Sequence, residues 1–532
     1  MSFQALKLRS ALTLTLLASA CAVTGYTATA GAQTVTAVLH SPLRVLDPVI
    51  TTAYITRNHG YMIYDTLLAT DANAKIQPQM VDKWVVSDDG KTYTFTLRPG
   101  LKWHDGQPVK AEDCIPSIKR WAERDKMGQI LLDLTADMKV VDDNTFQIIM
   151  KQPTNLVLRT LAKASGTTPF MMPKRIAETP SSQSITEHIG SGPFKWVATE
   201  FKPGLKAVYA KNTDYVPRTE PASFTAGGKV VNVERVVWAG MPDSMTAVNA
   251  LMNGEIDYIE QVPYDLLPMV EGNKDLNVGI IDKVGYQTMY RMNFLYPPFN
   301  NQLARQAAMY AVGQDNVMSA LVGNAKYYKT CAALFGCGMP YESLYGQDMV
   351  VPSNIEKAKE LLKQAGYDGT PVVILHPTDV TGLAAQPVVI AEALRKAGFK
   401  VNLQAMDWQT VVTRRAVSEP PAQGGWNIFS TNWSLLDIQD PLRDSAIATN
   451  GKQAWFGWPD IPKIEELRHS FALASDPAEL KSLADQVQKL ATDEGVAVPL
   501  GQYYNVAAYN TKLSNVPIEP IPLFWSIKKA GK

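Results

Sequence analysis

The chain has 532 residues, which is too long for one compact core and predicts two or three domains. Its 51 lysines and arginines balance 51 aspartates and glutamates, so no overall charge favours binding to nucleic acid or to an anionic membrane. Apolar residues make up 46% of the chain and charged residues 19%, which is typical of a soluble globular protein and excludes a disordered chain.

Residues 1–32 have the pattern of an export signal. Lys7 and Arg9 precede an apolar run, ALTLTLLASACAV, which is too short to span a bilayer well. The segment AGAQ then places small residues at the −3 and −1 positions for cleavage before Gln33. Lipidation at Cys21 is the alternative, although its surroundings match a lipidation signal poorly. We predict a cleaved signal peptide and an exported mature chain that begins at Gln33.

Residues 87–108, SDDGKTYTFTLRPGLKWHDGQP, have the pattern of short strands joined by turns. Two Asp-Gly pairs mark turns, KTYTFTLR alternates as a half-buried strand does, and LKW begins another short strand. His104 and Asp105 are neighbours, so on a strand their side chains point to opposite faces and cannot form a catalytic dyad. A helix over AEDCIPSIKRW follows, with Cys114 in the core, and KVVDDNTFQIIMKQP predicts a second strand pair.

Cys331 and Cys337 lie six residues apart in the segment CAALFGC. In an oxidising compartment this spacing favours a disulfide that closes a small loop. A pair of free thiols and a metal site are the alternatives, but a metal needs more than two ligands and no histidine lies nearby in the sequence. We predict the disulfide and no metal site.

Helices and strands alternate between residues 355 and 408. NIEKAKELLKQAGY and VVIAEALRKAGF have apolar residues at helical spacing, whereas PVVILHP and KVNLQAMDW have the pattern of strands. This alternation predicts an α/β lobe with a partly parallel sheet. Because ligands on such sheets lie beyond the carboxyl ends of the strands, His376 and the pair Asp407-Trp408 are candidate binding residues.

An indole, a guanidinium and a carboxylate are expected to converge between residues 407 and 441. Trp408 and Arg415 are seven residues apart, so a helix over DWQTVVTRRAV places both on one face. The strand-like segment GGWNIFSTNWSLLDIQDP follows and contains Trp433 and Asp437. Together these groups fit a zwitterion, with a carboxylate for its ammonium, a cation for its carboxylate and apolar walls. The alternatives are a helix cap for Asp437, a core position for Trp433 and a protein carboxylate as the partner of Arg415.

The sequence lacks the local signatures of common enzymes. It contains no HExxH, G-x-S-x-G, GxxxxGK[ST] or GxGxxG motif, and its six histidines show no metal-ligand spacing. We therefore predict neither an enzyme nor a bound cofactor. An exported hydrolase with a site assembled from distant residues is the alternative.

Several segments together carry a family resemblance. The pattern W-x-x-S-D-D-G-K-T-Y-T-F-x-L-R-x-G-x-K-W-H-D-G-x-P-x-x-A-E-D resembles the signature of the family 5 bacterial extracellular solute-binding proteins, which are the dipeptide, oligopeptide and nickel-chelate receptors of ABC importers. Further segments match in order, from LDPVITTAYITRNHGYMIYDTLL through GSGPFKWV, VNALMNGEIDYIE and PPFNNQLARQAAMYAVGQDNV to AKELLKQAGY and AVPLGQYYNVAAYN. The resemblance covers nearly the whole mature chain.

The resemblance implies an α/β fold of the periplasmic-binding-protein type. Two lobes of type II topology are expected, in the large cluster that carries an extra subdomain inserted in lobe one. The implied boundaries are 1–32 for the signal peptide, 33–75, 185–288 and 499–532 for lobe one, 76–184 for the inserted subdomain and 289–498 for lobe two. Two crossings between the lobes, near residues 286–293 and 498–502, would form a hinge.

The resemblance also implies a role for Asp437. In the family, an aspartate three residues before an acidic-Pro pair binds the ligand's α-ammonium, and Asp437 matches it by its spacing to Asp440-Pro441. Trp433 matches the preceding tryptophan less closely, because this chain has one extra residue between the indole and the aspartate.

Other positions match the family's ligand contacts to different degrees. Trp408 and Arg415 match the helix tryptophan and arginine that oligopeptide receptors place at the ligand, and Tyr54, in the segment near the mature start, is a further candidate. His376 stands where dipeptide receptors carry an arginine for the ligand's carboxylate. A neutral imidazole cannot replace a bidentate guanidinium, so strict dipeptide specificity is not expected.

The predicted protein is a monomeric periplasmic receptor without a cofactor. It captures a small peptide or peptide-like solute between two closing lobes and delivers it to an ABC permease and ATPase in the inner membrane. The alternatives are an opine-like conjugate or a metal chelate as the ligand, and a chemoreceptor as the partner. A hydrolase is the least favoured reading.

Overall fold

The computed structural model describes residues 33–531. The predicted signal peptide and the alternative lipidation at Cys21 lie outside the described residues. Within the described range, no helix has both the length and the apolar character needed to cross a bilayer.

Strands and helices alternate along most of the described chain. The strands are β1 (Thr34–Val38), β2 (Leu68–Thr70), β3 (Ile76–Pro78), β4 (Val81–Val86), β5 (Thr92–Leu97), β6 (Thr135–Asp142), β7 (Thr145–Met150), β8 (Phe194–Trp196), β9 (Lys206–Lys211), β10 (Arg235–Ala239), β11 (Tyr258–Ile259), β12 (Leu276–Gly279), β13 (Tyr286–Met292), β14 (Tyr328–Lys329), β15 (Val372–Pro377), β16 (Val401–Met406), β17 (Ile428–Ser434), β18 (Val498–Tyr503), β19 (Ala507–Asn510), β20 (Leu513–Ser514) and β21 (Lys528–Lys529). The α-helices are α1 (Tyr54–Ile63), α2 (Ala111–Ala122), α3 (Lys126–Leu134), α4 (Leu156–Leu161), α5 (Lys174–Ala177), α6 (Ser244–Met252), α7 (Leu267–Val270), α8 (Gln302–Ala311), α9 (Gln314–Leu321), α10 (Gln347–Val350), α11 (Ile355–Gln364), α12 (Thr381–Ala397), α13 (Trp408–Arg414), α14 (Leu435–Ile438), α15 (Pro462–Leu473) and α16 (Pro477–Asp493).

Two mixed sheets organise the molecule. The first has seven strands in the order β12-β19-β11-β1-β10-β9-β8, and the second has six in the order β14-β18-β13-β17-β15-β16. Strand β1 is parallel to both β10 and β11, and β15 is parallel to both β16 and β17. The helix-strand alternation seen in the sequence therefore forms the predicted partly parallel α/β sheets, and the α/β class is confirmed.

The chain passes between these two sheets twice. Residues 280–285 connect β12 of the seven-stranded sheet to β13 of the six-stranded sheet, and residues 504–506 connect β18 back to β19. The predicted crossings, near 286–293 and 498–502, are instead strands β13 and β18 themselves, so the connections lie a few residues away from where we expected them. The boundaries of the lobes and of the inserted subdomain remain a prediction.

A four-stranded antiparallel sheet, in the order β4-β5-β7-β6, lies within the segment predicted as an inserted subdomain. Its inner face is apolar and includes the stacked rings of Phe95 and Phe146, whose centres are 5.2 Å apart. The short strand predicted for LKW does not form, because the tight turn at Gly106 leaves only an isolated bridge between Lys102 and Pro108. His104 packs here, with its Nε2 3.1 Å from the Gly192 carbonyl, and burial lowers its pKa to about 4. Its role is structural.

The predicted disulfide between Cys331 and Cys337 is present, with its sulfurs 2.06 Å apart. The loop it closes is also held by side-chain amides: Cys331 exchanges two hydrogen bonds with Gln314, and Leu334 donates to Gln488. Four buried glutamines bind the backbone of this loop, namely Gln287, Gln314, Gln488 and Gln502. The loop conformation therefore has support besides the covalent bond.

We expect the double substitution Cys331→Ala, Cys337→Ala to lower the free energy of unfolding by only about 2 kcal/mol, the chain-entropy value for so short a loop. The glutamine contacts should keep the loop folded, so ligand affinity should stay unchanged. Urea unfolding of the variant and the parent protein measures the difference. A non-reduced digest of the parent should yield one cross-linked peptide, and two alkylatable thiols in periplasmic material would contradict the pairing.

Candidate functional site

Helix α13 presents two of the predicted residues on one face. Asp407 begins the helix as its N-cap, since its side chain accepts a hydrogen bond from the backbone N–H of Thr410 at 3.1 Å. Trp408 is the first helical residue and Arg415 follows the last, with the guanidinium 5.4 Å from the centre of the indole. Helical spacing therefore brings the two side chains together as predicted, and Asp407 serves its own helix.

Strand β17 carries Trp433 to the same place. The strand is central in its sheet, between β13 and β15, and six of its seven residues are buried. It ends at Ser434, which begins the short helix α14 that contains Asp437. Tyr54, the first residue of α1, packs edge-on against Trp433 with ring centres 6.5 Å apart.

A cavity lies between the two large sheets, and we call it the Arg415 cavity. Four of the predicted residues line it: Tyr54, Trp408, Arg415 and Trp433. Its wall also contains residues that follow or belong to strands of both sheets, namely His40, Gln261, Tyr286, Thr431, Asn432 and Tyr503. The cavity thus joins the six-stranded sheet to the carboxyl ends of β1 and β11, the position where α/β folds commonly bind ligands.

Arg415 is a buried cation that forms no ion pair with any acidic side chain in residues 33–531. Its side chain belongs to a residue that is 2% exposed, Nη2 donates one hydrogen bond to the Thr52 hydroxyl at 3.3 Å, and Nε has no partner. Among the described residues, no carboxylate forms an ion pair with it, and burial lowers its pKa to about 9. Four aromatic rings lie 5.0–5.8 Å from its guanidinium carbon, those of Trp408, Phe429, Trp455 and Phe456.

Such an environment favours an anion that enters from the cavity. A desolvated guanidinium gains most from a carboxylate, which can accept two parallel N–H bonds. The indole N–H groups of Trp433 and Trp455 also lack hydrogen-bond partners, so further donors lie near the same spot. The alternative for Arg415, pairing with a protein carboxylate, is not what the structure shows.

Asp437 lies behind Tyr54 and does not line the cavity. Its Oδ2 accepts hydrogen bonds from the Tyr54 hydroxyl at 2.7 Å and from the Ser165 hydroxyl at 2.8 Å. The Tyr54 hydroxyl in turn accepts one from the backbone N–H of Ser434 at 2.7 Å. Hydroxyl groups of the protein therefore occupy the oxygen that the sequence assigned to the ligand's ammonium, and that assignment remains a prediction.

Positive charges within the protein already surround Asp437. Burial raises the pKa of this carboxyl, and the charges of Arg57 and Lys163 act in the opposite direction. The Arg57 guanidinium lies 4.3 Å from the centre of the Tyr54 ring and donates to Ser165. Asp437 thus links α1 and the segment around Ser165 to the end of β17, and the two cations oppose the rise in its pKa without cancelling it.

His376 lies at the end of β15 as predicted but is not on the wall of the Arg415 cavity. Its Nε2 is 2.9 Å from the carbonyl oxygen of Ala384, in helix α12. A role for His376 in ligand binding remains a prediction without a contact that favours it. The described residues contain no group of three or more histidine, cysteine or acidic side chains placed to hold a metal ion.

Sequence reasoning missed several residues of the wall. His40 lies two residues beyond strand β1 (Thr34–Val38), so the rule about carboxyl ends of strands could have identified it. Tyr286 and Tyr503 belong to β13 and β18, the strands nearest the two connections between the sheets, and stack with ring centres 5.8 Å apart. No local pattern marks Gln261.

Comparisons with known proteins bear on this arrangement. The family model described as "Bacterial extracellular solute-binding proteins, family 5 Middle" matches residues 75–452. The chain is 41% identical over 507 residues, 95% of each sequence, to the probable peptide ABC transporter periplasmic-binding protein y4tO of Sinorhizobium fredii. The chain belongs to this family. It is also 25% identical to the glutathione-binding protein GsiB of Salmonella typhi, over 92% of this chain and 93% of that one.

Solved structures of the family agree with the fold. The ABC transporter-associated periplasmic binding protein DppA of Helicobacter pylori, solved in complex with the peptide STSA, superposes with a TM-score of 0.78 at 20% identity, over 94% of this chain and 98% of that chain. The two-lobed periplasmic-binding-protein architecture is therefore confirmed. Members of the family are solute-binding transport proteins and not enzymes.

Proposed function

We propose that this protein is the periplasmic receptor of an ABC importer and that it captures a peptide or peptide-like solute with a carboxylate or similar anionic group. The observation that carries the proposal is the buried guanidinium of Arg415, which faces the cavity and has no acidic partner in the part of the chain that the structure describes. A buried cation is costly unless it is paired, so binding an anionic solute removes a cost that the folded protein otherwise bears.

The relatives support the same chemistry. The names of y4tO and GsiB describe a probable peptide transporter component and a glutathione-binding protein, and the Helicobacter pylori structure contains a peptide. Each of these names refers to a peptide or to glutathione, and both kinds of solute contain amide bonds. The aromatic wall formed by Trp408, Trp433 and the tyrosines suits the apolar parts of such solutes, and the single cation suits their carboxylate.

In this proposal the solute is bound between two lobes that close around it, and no covalent step occurs. The signal peptide is cleaved before Gln33, the receptor acts as a monomer, and the closed form is presented to the permease and ATPase. The contacts of Tyr54 with Asp437, of Arg415 with Thr52 and of Arg159 with Asp440 would then form on closing, because each joins an element of the predicted lobe one to one of lobe two.

The proposal is tested by identifying the natural solute. Protein purified from the periplasm is denatured, and the released molecules are analysed by mass spectrometry. We expect an intact amide-containing compound with at least one acidic group, and we expect that compound to reduce the radius of gyration of the emptied receptor in X-ray scattering. A bound compound without an anionic group, hydrolysis of the compound on incubation, or an unchanged scattering profile at saturation would contradict the proposal.

A further inference from the structure

The carboxyl ends of β1 and β11 hold a histidine against a glutamate. These strands are parallel, with Ala37 opposite Tyr258 and Val38 opposite Ile259, so the residues that follow them meet at the same edge of the sheet. Both the backbone N–H of His40 and its ring Nδ1 lie 2.8 Å from one oxygen of Glu260. Glu260 in turn donates its backbone N–H to the Val38 carbonyl at 3.0 Å.

This contact determines which ring nitrogen of His40 carries the proton. The Glu260 oxygen already accepts the backbone N–H of His40 at 2.8 Å, so it acts as an acceptor toward the ring as well. A carboxylate only accepts hydrogen bonds, so Nδ1 of His40 is the donor. In the neutral imidazole the lone pair is then on Nε2, and no group among residues 33–531 forms a hydrogen bond with that atom.

His40 stands where two cavities meet. Together with Gln261 it lines both the Arg415 cavity and a second cavity, bounded by residues 38–42, residues 239–242, Ser244 and Thr381. The two cavities measure about 60 and 70 Å³, so each has room for roughly five water-sized groups. A solute that is anchored at Arg415 and extends into the second cavity therefore passes His40.

We propose that His40 is a ligand-binding residue whose Nε2 accepts a hydrogen bond from an N–H group of the solute, either a peptide N–H or an ammonium. The proposal rests on the proposed function and narrows it, because the solute then has an anionic group at Arg415 and an N–H donor at the junction of the cavities. Glu260 is a positioning residue that fixes the tautomer and orientation of the ring.

The arrangement discriminates between classes of solute. An acceptor in a closed site loses its hydrogen bonds to water, so a solute without a donor at that point leaves it unpaired. Peptides and amide-linked conjugates satisfy Nε2, whereas an ester or a hydrocarbon acid of the same shape does not. His40 therefore selects for nitrogen at one position along the solute, and Arg415 selects for charge at another.

Trialanine is the probe for this inference, together with analogues that each replace one N–H donor. In two analogues an ester oxygen replaces one amide N–H, and in the third the terminal amine is replaced by hydrogen. Calorimetric titration of the wild-type protein should show that one analogue binds about tenfold more weakly than trialanine. His40→Phe removes the acceptor and keeps an aromatic ring. This variant should bind that analogue as well as it binds trialanine, because the Nε2 acceptor that distinguishes the two solutes is gone.

Three further variants separate ligand recognition from a structural role. His40→Gln retains an acceptor, so it should keep most of the preference for trialanine over the weaker-binding analogue. Glu260→Gln should reduce that preference without abolishing the binding of trialanine. His469→Gln is the matched control, since His469 lies in helix α15, lines neither cavity and should leave every affinity unchanged. If His40 only stabilised the fold, its substitution would lower the affinities for trialanine and for all three analogues by the same factor.

Two results would overturn the inference in distinguishable ways. If His40→Phe and the wild-type protein lose affinity for the same analogues by the same factors, His40 does not contact the donor, and the proposed function stands. If no alanine peptide of two to five residues binds the wild-type protein, the peptide-like assignment fails and the role of His40 fails with it.

Discussion

Replacing Arg415 with methionine should weaken the binding of an anionic solute by about 2–5 kcal/mol and should also stabilise the protein in the absence of solute. The first effect follows from losing the only cation on the wall of the Arg415 cavity among the described residues. The second follows because the guanidinium is buried among aromatic rings without a carboxylate, and methionine fills similar space without a charge to desolvate. Opposite changes in affinity and stability are the signature of a binding group that the fold itself does not need.

Calorimetric titration with trialanine and with its C-terminal amide measures the first effect. The wild-type protein should bind the free acid much more tightly than the amide, and Arg415→Met should bind the two alike. Thermal unfolding of both proteins without solute measures the second effect, as a higher melting temperature for the variant.

Arg414→Met provides the matched control for this prediction. Arg414 is the neighbouring residue and bonds to the carbonyl oxygens of Gly424 and Gly425, away from the cavity, so its loss should leave the affinity for both ligands unchanged. An Arg415→Met protein that still prefers the free acid would show that the anion binds elsewhere.

The parts of the site that the sequence predicted are those set by local periodicity. Trp408 and Arg415 are two helical turns apart, and a helix of seven residues is enough to bring them together. Trp433 was placed correctly because the segment around it is a strand with a clear end. These inferences need no knowledge of what the rest of the chain does.

The contacts that the sequence did not indicate join residues that are far apart along the chain. Tyr54 and Asp437 are 383 positions apart, and His40 and Glu260 are 220 apart, so no local pattern indicates either pair. For His376 the strand end was predicted correctly, but the contact of its ring with the Ala384 carbonyl was not indicated by the sequence. A strand position alone does not determine which neighbour a side chain contacts.

The same reasoning explains the shifted crossings between the sheets. All seven residues of β13 and all six of β18 are buried, so neither strand shows the alternation that marks a half-buried strand. The crossings near 286–293 and 498–502 came from the family resemblance, and no side-chain alternation was present to show that these segments are strands. The turns that do connect the sheets are short and lie immediately outside these strands.

The prediction with the second-largest effect concerns Asp437→Asn, which should weaken trialanine binding by about 2–5 kcal/mol. The carboxylate accepts two hydroxyl hydrogen bonds and compensates nearby positive charge, so its neutralisation weakens contacts that join α1 to the end of β17. If these contacts form when the lobes close, every solute loses the same amount of affinity. N-acetyl-trialanine, which has no ammonium, should therefore lose as much as trialanine does.

Asp440→Asn is the control, because Asp440 is buried to a similar extent and lies three residues away. Its Oδ1 accepts hydrogen bonds from the backbone N–H groups of Leu442 and Arg443, and an asparagine can accept both. Only its ion pairs, with Arg159 at 3.4 Å and Arg443 at 3.5 Å, are lost, and the pair with Arg159 joins the predicted lobes, so we expect stability and affinity each to fall by no more than about 1 kcal/mol, less than the loss of affinity for Asp437→Asn.

The comparison of the two ligands decides between the two roles of Asp437. The family resemblance predicts a direct contact with the ligand's ammonium, in which case Asp437→Asn would weaken trialanine and spare N-acetyl-trialanine. The geometry favours equal losses, because the Tyr54 and Ser165 hydroxyls already occupy Oδ2 and Tyr54 stands between Asp437 and the cavity. A loss confined to trialanine would mean that Tyr54 moves aside when the solute binds, and Asp437 would then be the ammonium site after all.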